Sequence, residues 1–233
     1  MSWSASQGGT SPIVCGHRGA PVAVAENTLA SFAEAASRGA TWVEFDIRPT
    51  VDDQLVIHHD PDTGSGQHIA STRRSDLASS IPTLRELAGE LPNLGLDVEI
   101  KVSGIDRSIS DYVALIIDEL DRLVAVGRDQ LLVTSFSTEA LGQLKTQRPD
   151  IATGLLFYRM TPEWALDTAR AASHDVLLPW YPLLTADFVT AARSNGFGLA
   201  TWTVNDAVVV QRAVELGLDM IIGDDPALIL EHV

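Results

Sequence analysis

The sequence predicts an α/β chain closed into a (β/α)8 barrel of the TIM type, and three observations carry that expectation. Short apolar, β-branched runs alternate with amphipathic segments along the chain, with polar loops between them. Eight such units fit within 233 residues, close to the ~250 residues usual for this barrel. Many of the runs are apolar on both faces, as strands of a parallel sheet covered by helices require. A doubly wound open sheet is the structural alternative; eight regular alternations without an internal linker favour closure.

Strands are expected at 13–16, 42–48, 95–101, 130–136, 152–157, 175–178, 198–204 and 220–223. Helical periodicity fills 28–38, 84–91, 105–126, 138–147, 162–172, 185–195 and 206–216 between them. Ser137, Thr161, Thr185 and Asn205 each precede a helical run as candidate N-caps, because a side-chain oxygen there can accept from a free N–H of the first turn. Gly39, Gly127, Gly196 and Gly217 stand where helices should close. Residues 55–82 break the rhythm: a short β-like run and then a loop rich in Gly, Ser and Thr. They read as a small insertion after the second barrel strand, lying over the C-terminal face. Residues 1–12 read as a flexible leader and 13–233 as one domain.

Composition narrows the function. Sixteen basic residues oppose 31 acidic ones, a formal charge of −15, so the overall field repels nucleic acid and anionic membrane surfaces. A small anionic substrate then needs a local cluster of cations or a metal. The single cysteine, Cys15, excludes an intramolecular disulfide and Cys-rich zinc modules. No basic residue precedes Arg18, and no apolar run approaches the ~18 residues of a membrane span. A cytoplasmic location, with neither export signal nor stable membrane insertion, is the expectation.

In such a barrel, catalytic groups stand at C-terminal strand ends and on the loops that follow. Glu44 and Asp46 are two apart on one strand, so they share a face, and Asp97, Glu99 and Lys101 repeat the pattern on the next barrel strand. Carboxylates inside a strand are costly unless paired or bound to metal. The plain reading is an ion-pair network, for example Glu44 with Arg48 or Glu99 with Lys101. His17-Arg-Gly19 ends the first strand and His58-His-Asp60 ends the run at 55–57. A histidine followed by Arg-Gly suits acid–base work beside an anion, and Arg18 offers a forked donor for phosphate. His68, His174 and His232 have no such neighbours.

These residues resemble a known family. Gly16-His-Arg-Gly19, Glu26-Asn-Thr28, Gly39-Ala-Thr-Trp-Val-Glu-Phe-Asp-Ile-Arg-Pro-Thr50 and Leu55-Val-Ile-His-His-Asp60 resemble the glycerophosphodiester phosphodiesterases. The likeness continues through Leu96-Asp-Val-Glu-Ile-Lys101, Ser135-Phe136, Trp202-Thr-Val-Asn205 and Gly217-Leu-Asp-Met-Ile-Ile-Gly-Asp-Asp-Pro226. Each piece alone is weak; the ordered set, spanning 16–226, is specific. The resemblance implies hydrolysis of glycerophosphodiesters to sn-glycerol 3-phosphate and an alcohol, with one divalent cation. It implies Glu44, Asp46 and Glu99 as metal ligands, His17 and His59 as the acid–base pair, and Arg18 and Lys101 on the substrate phosphate. Oxygen-only ligands of this kind favour Mg2+ or Ca2+ over softer metals. His59 rather than His58 falls on the family's His-Asp pair. Glu26 and Asn27 would shape the substrate side, a helix cap being the plain alternative for Asn27. Trp202 would line the substrate groove, with a place in the core as its alternative.

Two departures stand out. The family continues from His-Asp into a longer Leu-Asp-Arg-Thr-Thr segment, where this chain has Pro61-Asp-Thr-Gly-Ser-Gly66, and Gly223 replaces a threonine in the last motif. The nearest rival activity is that of sphingomyelinase D and lysophospholipase D enzymes, which act on lipid diesters. A barrel that binds phosphodiesters without cleaving them would have lost a histidine or a ligand, and all are present.

Overall fold

The structure, a computed structural model, describes residues 11–125 and 130–233. Most of the expected leader, together with Val126 and Gly127, lies outside the described residues. The elements run β1 (Ile13–His17), α1 (Leu29–Ser37), β2 (Trp42–Pro49), β3 (Leu55–Ile57), α2 (Leu84–Glu90), β4 (Gly95–Ile100), α3 (Ile109–Ala125), β5 (Leu131–Ser135) and α4 (Thr138–Gln147). They continue as β6 (Ala152–Phe157), α5 (Pro162–Ala172), β7 (Val176–Pro179), α6 (Ala186–Ser194), β8 (Gly198–Thr201), α7 (Ala207–Glu215), β9 (Met220–Gly223) and α8 (Pro226–Leu230).

Eight of these strands are parallel and ordered β1-β2-β4-β5-β6-β7-β8-β9, and β9 pairs with β1 to close the barrel. The expected fold class is the observed one. Strand β3 lies antiparallel to the end of β2, with Ile57 opposite Ile47, so the 55–82 stretch starts as a hairpin on the second barrel strand. The period-2 alternation sorts β2 into two faces. Val43, Phe45 and Ile47 pack outward under the helices, with Phe45 edge-on to Phe32 at 5.8 Å. Glu44 and Asp46 belong to the other face. The lower interior is apolar, built from Cys15, Leu132, Val176, Met220 and Ile222 among others. Asp97 stands level with Leu132 at the edge of this layer, and Asp46 and Glu99 pair in register one step nearer the C-terminal end.

Thr28, Thr83, Ser137, Thr161 and Thr185 all cap their helices through the side-chain oxygen. Asn205 does not. Asp206 caps α7, accepting from the N–H groups of Val208 and Val209, which leaves the Asn205 amide for another partner. The helix expected from residue 105 starts only at Ile109. The preceding turn is tied to the β2–β3 hairpin by Arg107, which donates to Asp53 Oδ1 at 2.7 Å and to the carbonyl of Thr50 at 2.8 Å.

Candidate active site

The turn after β1 sets the first functional group. Arg18 and Gly19 both have positive φ (+53° and +94°), and a Cβ on Gly19 would lie 2.3 Å from Ser31 Oγ. Only glycine fits there. This tight turn leaves His17 at the barrel mouth and points the Arg18 N–H at Glu44 Oε2, 3.1 Å away. The Arg18 guanidinium turns back over Asp46, with Nε 3.2 Å from Oδ2. Glu26 stands one step behind: its Oε1 accepts from Arg18 Nη1 at 2.9 Å, and it is not among the residues lining the cavity. Asn27 donates to Asp46 Oδ2 at 2.8 Å, while Thr28 is the helix cap.

Barrel register stacks the acidic residues. His17 is opposite Glu44, Glu44 opposite Asp97, and Asp46 opposite Glu99. Glu44, Asp46 and Glu99 each place an oxygen within 4.8 Å of the others, the one such group among the described residues. Lys101 Nζ lies 2.9 Å from Asp46 Oδ1 and 2.5 Å from Glu99 Oε1. Burial works against the charge of Asp46, yet Lys101, Arg18 and the Asn27 amide hold its pKa below the ordinary carboxylate value. Burial, then repulsion from Asp46 and Glu99, pushes Glu44 up. Burial raises Glu99 to about 7 against the pull of Lys101. Asp97, buried lower in the barrel and hydrogen-bonded by Thr134, is raised to about 8. Such a cluster is short of positive charge, and Glu44 Oε1 is buried without a hydrogen-bond partner. Both features suit a hard divalent cation bound through oxygen, so the residues fit the expected metal.

Arg48 does not pair with Glu44. Its Nε donates to the His59 carbonyl at 2.9 Å, and its other nitrogens reach Ser103 and His59. Four residues along a strand span ~13 Å, beyond the reach of an ion pair between those two positions. Arg48 instead ties the His59 loop to the loop after β4. The Lys101–Glu99 pair is present.

The two histidines meet across one cavity of about 360 Å³, which is lined on this side by His17, Arg18, Glu44, His59, Glu99 and Lys101. His59 Nδ1 contacts Asp60 Oδ1 at 2.8 Å, and burial lowers its pKa against the pull of Asp46. His58 bonds the carbonyl of Asp60 and is not part of the lining. His17 Nδ1 lies 2.6 Å from Asp224 Oδ1, and its Nε2 lies 3.9 Å from Glu44 Oε2. The opposite wall is aromatic: Phe136, Tyr158, Trp180 and Trp202. Trp202 packs edge-on to Phe136 at 5.3 Å and donates its indole N–H to the carbonyl of Leu178, so it lines the cavity while packing against the apolar interior. His174 is buried beneath the outer helices, with Thr153 as partner and a pKa pushed down to about 4 by burial; it has no place in the cavity lining.

Asp224 and Arg48 are the contacts that reading along the chain missed. Asp224 follows the last barrel strand directly, which is the one local signal it carries. Gly223 beside it now has a reason: a Cβ there would lie 2.2 Å from the carbonyl oxygen of Val204. Restoring the family's residue by Gly223→Thr is expected to destabilise the protein by about 1–3 kcal/mol, the usual cost of forcing atoms into a filled site. Thermal unfolding measures it; an unchanged Tm would show that the two loops separate freely.

Cations beside a carboxylate group suit an anionic ester, and histidines flanking it suit proton transfer; together they define a barrel phosphodiesterase. The chain belongs to the glycerophosphoryl diester phosphodiesterase family, whose model matches residues 17–228. It is 29% identical to a glycerophosphodiester phosphodiesterase of Caldanaerobacter subterraneus subsp. tengcongensis, over 95% of this chain and 97% of that one. Among solved structures, an Oleispira antarctica phosphodiesterase in complex with the product sn-glycerol-3-phosphate superposes with a TM-score of 0.86 at 26% identity, covering 95% and 96% of the two chains. A Galdieria sulphuraria structure shares the fold with a TM-score of 0.85 at 23% identity, covering 95% and 97%.

Proposed function

We propose that the protein hydrolyses glycerophosphodiesters to sn-glycerol 3-phosphate and an alcohol, with Glu44, Asp46 and Glu99 holding one Mg2+ or Ca2+. The observation that carries this reading is the placement of His17 and His59 on one cavity with the acidic group, Arg18 and Lys101. A bound dication would polarise a phosphoryl oxygen and offset charge building in the transition state. Three carboxylates with a dication leave one net negative charge. Arg18 and Lys101 turn that into one net positive charge, which admits a monoanionic diester into an acidic protein. One histidine takes the proton of the attacking oxygen as the new P–O bond forms; that oxygen belongs to water, or to the adjacent glycerol hydroxyl, in which case water then opens the cyclic ester. The other gives a proton to the alkoxide as the P–O bond to the alcohol breaks.

The substrate in this reading is a small molecule and not nucleic acid, given the charge of −15. Among the described residues, no helix is long and apolar enough to cross a membrane. We read 13–233 as one catalytic domain with 55–82 as its insertion, and the free, buried Cys15 agrees with a reducing cytoplasm.

Discrimination between alcohols should be modest. Beyond His59 the insertion adds nothing to the cavity lining, and added methyls on Gly64 and Gly66 would meet nothing within 4 Å. Values of kcat/KM for the choline, ethanolamine and glycerol diesters are expected to agree within about a hundredfold, because one apolar contact is worth only ~1–3 kcal/mol. A preference above about a thousandfold for one alcohol would contradict this. The exposed rings of Tyr158 and Trp180 favour a second reading, hydrolysis of lipid-bearing diesters. A lysophospholipid in the same panel tests it: a kcat/KM above those of the water-soluble diesters would make the lipid reading the better one.

A further inference from the structure

Two motifs that the proposed chemistry leaves unused, Trp202-Thr-Val-Asn205 and Gly223-Asp-Asp-Pro226, meet behind His17. The meeting is built into the backbone. Val204 N–H donates to the carbonyl of Ile222 at 2.9 Å, and Gly223 lets the two loops touch. From there a chain of hydrogen bonds runs to the histidine with one possible polarity. The Asp224 backbone N–H donates to Asn205 Oδ1 at 2.9 Å. A backbone N–H can only donate, so this contact fixes which end of the Asn205 amide is oxygen. The amide nitrogen therefore faces Asp224 Oδ2, at 2.5 Å. The other carboxylate oxygen lies 2.6 Å from His17 Nδ1. Burial opposes the charge of Asp224, but its bonds to His17 and Asn205 hold its pKa below the ordinary value. An ionised carboxylate only accepts, so the ring hydrogen sits on Nδ1. In the neutral imidazole, Nε2 then carries the lone pair, on the side that faces Glu44. His59 lacks such a chain: its partner Asp60 is the next residue, with a side chain 70% exposed.

We propose that Asn205 and Asp224 are positioning residues that lock His17 in the Nδ1–H tautomer, making its Nε2 the proton acceptor of the reaction. This rests on the function proposed above. The experiment reverses the polarity of the chain. In Asp224→Asn, an amide must either set its nitrogen against the Asn205 nitrogen or turn that nitrogen to His17 and force the other tautomer. We expect kcat to fall ~10–100-fold, less than the ~10²–10⁴-fold worth of the base itself because the imidazole remains, with KM changed less than about threefold. Adding Asn205→Asp supplies a carboxylate that accepts from both the new amide and the backbone N–H. The amide oxygen is then free to accept from His17, and at least about tenfold of kcat should return. In a His17→Ala background, Asp224→Asn should change nothing further.

No recovery in the swapped pair, or the same loss from Asp224→Asn without His17, would overturn the proposal and leave Asp224 a purely structural residue. Full activity of His17→Ala alone would instead remove the functional reading on which the proposal rests. The acceptor role has its own arm, the p-nitrophenyl diester of glycerol phosphate, whose leaving group needs no proton. His59→Ala should recover on this substrate, and His17→Ala and Asp224→Asn should not. The reverse pattern would make His17 the donor and overturn the assignment.

Discussion

Alanine at His17 or at His59 is expected to lower kcat by ~10²–10⁴-fold, the range for losing a positioned acid or base, whereas His58→Ala should cost less than about threefold. Adjacent histidines on one loop separate so widely because of where their rings go. Arg48, itself anchored on Ser103, donates to the His59 carbonyl, and His59 lines the cavity. The His58 ring turns to the carbonyl of Asp60. Steady-state kinetics on glycerophosphocholine checks all three variants. A dead His58 variant beside an active His59 variant would reverse the assignment.

Chelation is expected to abolish turnover, and Glu44→Gln, Asp46→Asn and Glu99→Gln should each weaken metal binding by about tenfold or more. The stability response should divide the three. Glu44 and Glu99 are carboxyls whose pKa burial raises, so the fold disfavours their charged forms. Removing those charges in metal-free protein should leave Tm unchanged or raise it. The pKa of Asp46 is lowered, and it accepts from Asn27 while pairing with Lys101 and Arg18. Its replacement breaks buried pairs and should lower Tm. Titration calorimetry with Mg2+ and Ca2+, together with unfolding after dialysis against chelator, reads both effects. Full turnover by protein shown by elemental analysis to be metal-free would contradict the assignment.

The barrel was legible because its alternation is local: β-branched runs, capping threonines and serines, and amphipathic helices each declare themselves within a few residues. The strand carboxylates were legible for the same reason, since a two-residue spacing places Glu44 and Asp46 on one face without knowledge of the partners. What escaped was decided by contacts distant in sequence. Asn205 and Asp206 are both competent caps by residue type, and only the arrival of Asp224 determines which one is used. Asp224 itself is 207 residues from His17, and they meet because β9 closes on β1. The start of α3 was misplaced because Arg107 is drawn away to Asp53 and Thr50 on the β2–β3 hairpin, a pull that periodicity cannot register.

The central claim is that this cavity cleaves the bond between phosphorus and the alcohol oxygen and leaves the phosphate on glycerol. Phosphorus NMR of glycerophosphocholine incubated with the purified protein and Mg2+ or Ca2+ tests it in one spectrum. The diester resonance should decay into that of sn-glycerol 3-phosphate, and chelator should stop the decay. A persistent diester, or a product spectrum showing phosphocholine in place of glycerol phosphate, would contradict it.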